Sequence, residues 1–419
     1  MSALPDYPHA LECVLSIVKT LPIERMALAD AIGCGLAADA RADRDLPPFN
    51  RAMMDGYAVH ASDVKPGAQF DVAADIAAGA SPRVKVPPGA CAKIATGAAV
   101  PEGLDAVIPH EESDRGNPVA FRSDSIAVGH AIHPRGADAR AGDVVVSKGT
   151  ILAAHHLGIL ASIGCSLVDV IRGPRSIVLT SGDEIRPIEE RSIKPHHIRN
   201  SNAVMLAALL PRMGARFLRA EHLPDERETT IHAVARAIEE ADLVVTVGGV
   251  SAGERDYFPA AFDHAGAEMV VRGARLQPGR PIQVGRAPDG AIIIALPGNP
   301  VSALVTAHLF IWPIIRAMTG LGFPLPLREG VRGWVGPEST TSSPHLAWRF
   351  HPLAAPIKPN PSRQAFRPAI LNEDGSITIP KWAGSGDLVH TAATHGIAAL
   401  PEQAAEVAAG TRVPFLAWA

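Results

Sequence analysis

Leu243-Val244-Val245-Thr246-Val247 runs directly into Gly248-Gly249-Val250-Ser251-Ala252-Gly253-Glu254-Arg255-Asp256, and this junction sets the fold class. An unbroken run of apolar and β-branched residues bounded by glycine reads as a strand buried on both faces. Two further apolar runs meet equally unusual loops: 176–180 leads into Ser181-Gly182-Asp183-Glu184, and 291–296 into Pro297-Gly298-Asn299-Pro300-Val301-Ser302. Between them lie helical patterns at 203–210, 226–240 and 301–318, with 217–220 as another strand. Such alternation predicts an open, largely parallel sheet covered by helices on both faces. In such sheets ligands bind outside the carboxyl ends of the strands. Glycines let backbone amides approach a ligand, and amides at a helix start favour an anion. Glu184 and Asp256 beside these loops are oxygen donors suited to Mg²⁺ and shared phosphates. A plain structural reading stands beside this one: Asp183 and Asp256 as solvated acids or caps, and Pro297-Gly298-Asn299-Pro300 as punctuation between elements. Three such loops at consecutive strand ends favour a site for a phosphate-bearing ligand and a divalent ion, without naming a reaction.

Working outward, residues 9–20 place Leu11, Val14, Leu15 and Val18 on one helical face. From 41 to 149 short β-like runs (70–72, 83–86, 106–108, 144–146) alternate with Gly and Pro turns, as in a small β-rich module. A helical pattern returns at 151–163, which makes the β module an insertion in a helix-bearing domain. The Pro-rich stretch 322–327 reads as a boundary, and 328–419 carries short strands such as 377–379. The expected organisation is a split first domain (1–40 and 141–172), an inserted β-rich domain (41–140), a central α/β domain (173–322) and a C-terminal β domain (323–419).

Composition narrows the function classes. The 419 residues carry 39 Lys and Arg against 43 Asp and Glu, a net charge of −4, with only 11 Phe, 5 Trp and 3 Tyr. Neither a basic surface nor stacking platforms for nucleic acid are indicated. The N-terminus lacks a basic start followed by an apolar block, and the apolar run 301–315 is interrupted and short for a membrane span. The four cysteines (Cys13, Cys34, Cys91, Cys165) are scattered and read as reduced thiols of a cytoplasmic protein. His155-His156 and His196-His197 lack a third ligand at metal spacing. No Gly-x-Gly-x-x-Gly follows a strand, and His-Glu-x-x-His does not occur.

Longer motifs carry a family resemblance. Asp45-Leu46-Pro47-Pro48-Phe49 and Met53-Met54-Asp55-Gly56-Tyr57-Ala58-Val59 are followed by Ile94-Ala95-Thr96-Gly97-Ala98, Asp105-Ala106-Val107 and Arg135-Gly136-Ala137-Asp138. Together with the three strand-end loops, Arg363-Gln364-Ala365-Phe366-Arg367 and Gly384-Ser385-Gly386, they resemble the MoeA family of molybdopterin molybdenumtransferases, which is similar to the gephyrin E domain. The resemblance implies a central molybdopterin-binding α/β domain, the inserted β-rich domain and a small β-barrel-like C-terminal domain. It implies a homodimer whose cleft lies between the α/β domain of one copy and the inserted domain of the other. The implied reaction moves molybdenum from molybdate into adenylylated molybdopterin with Mg²⁺-dependent release of AMP. A molybdopterin adenylyltransferase would act upstream and molybdoenzymes downstream.

The roles the resemblance carries over fall on Asp55, Thr96, Asp138, Glu184 and Asp256 for catalysis, with Glu184 and Asp256 holding Mg²⁺. Substrate and phosphate contacts fall on Ser181, Gly182, Asp183, Gly248, Gly249, Ser251, Gly253, Pro297, Gly298, Asn299 and Pro300. Molybdate contacts fall on Arg280, Pro281, Ser302, Arg363 and Ser385. The chain departs from the family in four places. Gln277-Pro278-Gly279-Arg280-Pro281 stands where Lys-Pro-Gly-Lys-Pro is usual, and Asn200-Ser201-Asn202 where Asp-Ser-Asn is usual. Ser181 replaces a threonine, and Ala137 replaces a glutamate. A carrier that binds the pterin without turnover and an adenylyltransferase are the competing functions.

Overall fold

The computed structural model describes residues 4–81, 84–249, 256–321, 323–324, 334–335, 348–382, 384–402 and 404–419, with backbone only at 323–324 and 334–335. Arg83, most of the Pro-rich stretch 322–327 and loop residues 250–255, with Ser251 and Gly253, lie outside them. The chain divides into two compact units, one of residues 1–37, 149–153 and 168–419, the other of 38–148 and 154–167.

The first unit is built on a six-stranded sheet. Its strands are β1 (Arg175–Ser181), β2 (Arg216–Leu223), β3 (Leu243–Val247), β4 (Glu268–Arg272), β5 (Gln283–Arg286) and β6 (Ile292–Leu296). They lie in the order β2-β1-β3-β6-β5-β4. The first four are parallel; β5 and β4 are antiparallel additions at one edge. The parallel strands are the apolar runs read from the sequence. The edge pair escaped that reading because β4 (Glu-Met-Val-Val-Arg) is only partly buried and β5 contains Gly285. That glycine has its own constraint: a Cβ there would lie 2.6 Å from the Glu268 carbonyl oxygen.

Strand alternation sorts the core into two layers. Val178, Val245, Ile292 and Ile294 face one side, with α1 (Ser201–Arg212) and α4 (Pro300–Met318). Ile177, Leu179, Val244 and Ile293 face the other, with α2 (Arg227–Glu240) and α3 (Phe258–His264). Helix α4 is one continuous 19-residue segment, long and apolar enough to cross a membrane by those criteria alone, yet it is buried in this core. A π turn at Ala307–Ile311 interrupts its α-helical bonding and holds His308 inside. Burial pushes the His308 imidazole down to about 4. Its Nδ1 meets the Leu304 carbonyl at 2.8 Å, and its Nε2 accepts from the Ala419 amide at 3.1 Å.

The N-terminal helix covers Tyr7–Ser16, two residues earlier than the periodicity predicts, because Asp6 caps it through the His9 amide and Pro8 fits its first turn. Tyr7 seats it on α4 by donating its hydroxyl proton to the Leu309 carbonyl at 3.0 Å. A further six-stranded sheet, ordered Leu276–Gln277, Gln364–Leu371, Gly396–Leu400, Arg412–Ala417, Arg349–Pro352, with Ile377–Thr378 paired to Gln364–Leu371 off that path, belongs to the same unit.

The second unit centres on four strands, Val72–Ile76, Cys91–Ile94, Gly56–Val59 and Ala106–Pro109, in that spatial order. Its neck is zipped: Ala40–Arg41 pairs antiparallel with Val144–Val146, and the Lys148 amide donates to Asp39 Oδ1 at 2.8 Å.

At the amino ends of the parallel strands, Asp242 ties three elements. It receives Arg172 Nη1 at 2.6 Å and the Arg175 amide at 2.7 Å, and its own carbonyl accepts from the Ile292 amide. Burial raises the proton affinity of this carboxyl, but the Arg172 and Arg175 bonds outweigh it and hold the group at about 2. A carboxyl depressed on folding contributes stability that is complete above its unfolded pKa and lost as pH falls through the folded value; here that is about 2 kcal/mol. Asp242→Asn should therefore melt earlier at pH 7, and thermal scans should show its gap to the parent closing as pH drops below about 4.

Candidate active site

The sheet register brings the carboxyl ends of the parallel strands level. Ser181 pairs with Leu223, Thr180 with Val247, and Val247 with Leu296. The loops leaving these ends enclose a cleft of about 760 Å³. Gly248 and Gly249 both hold left-handed φ, +87° and +57°. A Cβ on Gly248 would sit 2.9 Å from the Ser181 carbonyl oxygen, and one on Gly249 would sit 2.9 Å from the buried Phe258 ring. Only glycine satisfies conformation and space together. Gly298 lies against Gly248, 3.6 Å from its ideal Cβ to the Gly248 Cα. Its carbonyl accepts from Asn202 Nδ2 at 2.7 Å.

Glu184 is exposed at the cleft, with its carboxylate folded over Gly182 so that a Cβ there would meet Oε2 at 2.8 Å. Asp256 lines the same cavity, as do Ser181, Gly182, Gly248, Gly249, Pro281, Pro297, Gly298, Asn299 and Pro300. Asp183 does not line it: its Oδ1 accepts from the Asp225 amide while its own amide donates to Asp225 Oδ2. Of the residues assigned to molybdate, Pro281 lines the cleft. Ser385 meets Asn299 Nδ2 at 2.8 Å, next to Gly386, which lines the cavity. Arg280 is exposed beside Pro281. Ser302 is buried in the first turn of α4, and neither it nor Arg363 lines the cavity.

The second unit holds its candidates separately. Asp55 Oδ1 accepts from the Thr96 amide at 2.6 Å and the Thr96 hydroxyl at 2.8 Å, and these two bonds lower its pKa. Asp138 Oδ1 meets His133 Nε2 at 2.8 Å. All four lie beside Arg51–Ala52: His133 is opposite Arg51 in the strand register, and the Gly97 amide donates to the Ala52 carbonyl. Asp55, Thr96 and Asp138 are exposed, so their polar atoms face solvent.

The cleft also draws in residues that the motif reading did not assign a role: Thr180, Asn200, Ser201, Asn202 and Asp225. Asp225 follows β2, a strand whose alternating pattern carries no glycine loop to flag it. Asn200 caps α1 by accepting from the Ala203 amide at 3.1 Å, so the amide that replaces aspartate keeps the capping function. Asn202 is buried, and its Oδ1 lacks a hydrogen-bond partner among the described residues; the same holds for Gln277 Oε1. The donor set at Glu184 and Asp256 is oxygen only and suits a hard cation that takes one or two carboxylates and completes its shell with water and phosphate. No group of three or more His, Cys, Asp or Glu positioned for a metal occurs among the described residues.

The first unit thus presents a three-layer α/β domain with its cleft at the carboxyl ends of the parallel strands. MoeA N-terminal region (domain I and II) matches residues 6–164, a probable molybdopterin binding domain matches 177–317, and MoeA C-terminal region (domain IV) matches 351–418. The chain belongs to the MoeA family. It is 34% identical over 398 residues to molybdopterin molybdenumtransferase 2 of Mycobacterium tuberculosis, covering 92% of this chain and 93% of that one. It is 34% identical over 317 residues to the molybdopterin molybdenumtransferase of Bacillus subtilis, covering 74% and 73%. The crystal structure of the MoeA protein of Pyrococcus horikoshii superimposes with a TM-score of 0.76 at 25% identity over the whole of both chains.

Gly249→Ala should lose about 1–3 kcal/mol of stability, because a left-handed alanine would also press on Phe258. A lower melting temperature, measured by calorimetry, is the expected result.

Proposed function

We propose that this chain transfers molybdenum from molybdate into adenylylated molybdopterin and releases AMP, and that it works as a homodimer. The observation that carries this is the cleft at the level ends of β1, β3 and β6, where closely packed glycine backbone lies beside the exposed Glu184 and the half-buried Asp256. The Gly248 and Gly249 segment gives phosphate oxygens close access to main chain, as the small residues there require. Ser181 adds a hydroxyl, and Asn299 fixes the facing loop through Ser385. Glu184 and Asp256 are the residues that would hold Mg²⁺. When bound, that ion supplies charge neutralisation at the phosphate leaving group.

Molybdate is a substrate with four acceptor oxygens and needs donors and positive charge. Pro281, Arg280 and Ser385 edge the cleft and are the residues we assign to it first, with Ser302 and Arg363 further from the lining. Arginine at 280 offers a planar fork in place of an ammonium point charge. Asp55, Thr96 and Asp138 of one copy are proposed to serve the cleft of the other. The Thr96 bonds keep Asp55 ionised and in one orientation, as a group awaiting a ligand would be. The proposed division into four domains is 1–40 with 141–172, 41–140, 173–322 and 323–419.

Purified protein given adenylylated molybdopterin and Mg²⁺ should release AMP only when molybdate is added. Glu184→Ala should reduce that release on the order of 100-fold or more. Tight substrate binding without release would identify a carrier and make Gln277, Arg280 and Asn200 the positions to revert. ATP-dependent adenylyl transfer would identify the preceding step. Mixing inactive Asp55→Ala with inactive Glu184→Ala should restore about a quarter of parental turnover, because half the dimers are mixed and each then keeps one intact site. No restoration after exchange of subunits would remove the shared-site arrangement.

A further inference from the structure

A second cavity, of about 440 Å³, opens on the central sheet of the second unit. Strand register sets one wall: Tyr57 of Gly56–Val59 lies opposite Lys93 of Cys91–Ile94. Tyr57 is buried, the His110 ring stands edge-on to it at 4.9 Å, and Val72 extends this wall. Lys93 gives one proton to Asp75 Oδ2 at 3.2 Å, in an exposed pair that leaves the ammonium two further donors. His110 Nδ1 is buried without a partner among the described residues, a polar atom that the fold itself does not satisfy.

The facing wall is a loop built to hold one side chain. Asp114 Oδ1 accepts from the Gly116 and Ala120 amides, both at 2.9 Å, and Ser113 Oγ accepts from the Arg115 amide at 3.3 Å. Within this loop Arg115 holds φ +59°, a left-handed conformation that glycine adopts freely and arginine rarely does. Gly116 has no room for a Cβ, which would lie 2.8 Å from the Pro118 carbonyl oxygen. Arg115 is exposed, lines the cavity and has no carboxylate partner among the described residues. Asn117 Oδ1 is taken by the Val72 amide at 3.2 Å, so Nδ2 is the atom left to donate. Two cations and a carboxamide thus line one cavity that no described carboxylate lines, in a chain of net charge −4.

We propose that this cavity binds an organic phosphate monoester, its phosphate between Arg115 and Lys93 and its organic part against Tyr57 and His110. Two cations match a group carrying nearly two charges at pH 7, whereas a single carboxylate leaves one of them unanswered. The guanidinium fork suits two phosphate oxygens, and Asn117 Nδ2 supplies a donor for the third. The volume exceeds what a bare ion needs and falls among those of small-molecule sites. Asp55, Thr96 and Asp138 do not line it, so the site is distinct from the roles proposed for them.

The test is calorimetric titration of the full chain with phenyl phosphate, inorganic phosphate and succinate, without Mg²⁺. Phenyl phosphate should show one site that weakens about tenfold or more in Arg115→Gly and in Lys93→Gln. Glycine suits the left-handed backbone at 115, so the loop is retained there and the lost binding reports the guanidinium. Inorganic phosphate, which lacks the ring, and succinate, a dicarboxylate, should each bind the parent more weakly. Absence of phenyl phosphate binding in the parent, or binding unaltered in both variants, overturns the site. Succinate binding as tightly as phenyl phosphate overturns the phosphate class. Inorganic phosphate binding as tightly overturns the contact with an organic part.

Discussion

The close approach of three backbones is the constraint on which the cleft depends. Gly248 packs main chain against the Ser181 carbonyl and Gly249 lies against the Phe258 ring, so the space a Cβ would need is already occupied at both, while Gly298 sits in contact with Gly248. The parallel register supplies the alignment that makes this contact possible. Because the strands are held level, three loops of different sequence end within reach of one ligand. Because side chains are missing at the contact, main chain comes as near to that ligand as it does to its neighbours. The buried layers formed with α1 and α4 on one side and α2 and α3 on the other make the platform rigid enough to hold the geometry.

Charge is distributed to match. At the amino ends of the parallel strands Asp242 gathers Arg172 and Arg175, a paired arrangement with most of its charge consumed internally. At the carboxyl ends Glu184, Asp225 and Asp256 line the cleft. The same residue types thus stabilise the fold at one end of the sheet and edge a cavity at the other.

Much of the sheet was legible because strands buried on both faces cannot avoid apolar runs, and β1, β3 and β6 are such runs. The edge strands β4 and β5 were not, since partial burial permits charged residues and Gly285 breaks the pattern. The π turn in α4 was hidden too: it depends on where the buried His308 finds partners, and sequence spacing does not encode that. In the site, the glycine loops and Glu184 stood out locally. Asp225 did not, because its relation to Asp183 arises only when β2 is laid beside β1. Asn200 looked like a lost charge in one dimension and is a cap and a hydrogen-bond donor in three.

The zipped neck of the second unit carries a consequence for how such a chain changes over generations. Residues 109 positions apart are joined by the Lys148 to Asp39 hydrogen bond, so the segment 38–148 ends where it began, before the chain returns to the unit at 154–167. Closing a loop costs more with length only logarithmically, and ends already clasped keep even that cost out of the surrounding structure. Length added or removed inside 42–143 therefore leaves the two strands that must meet, Ala40–Arg41 and Val144–Val146, unchanged.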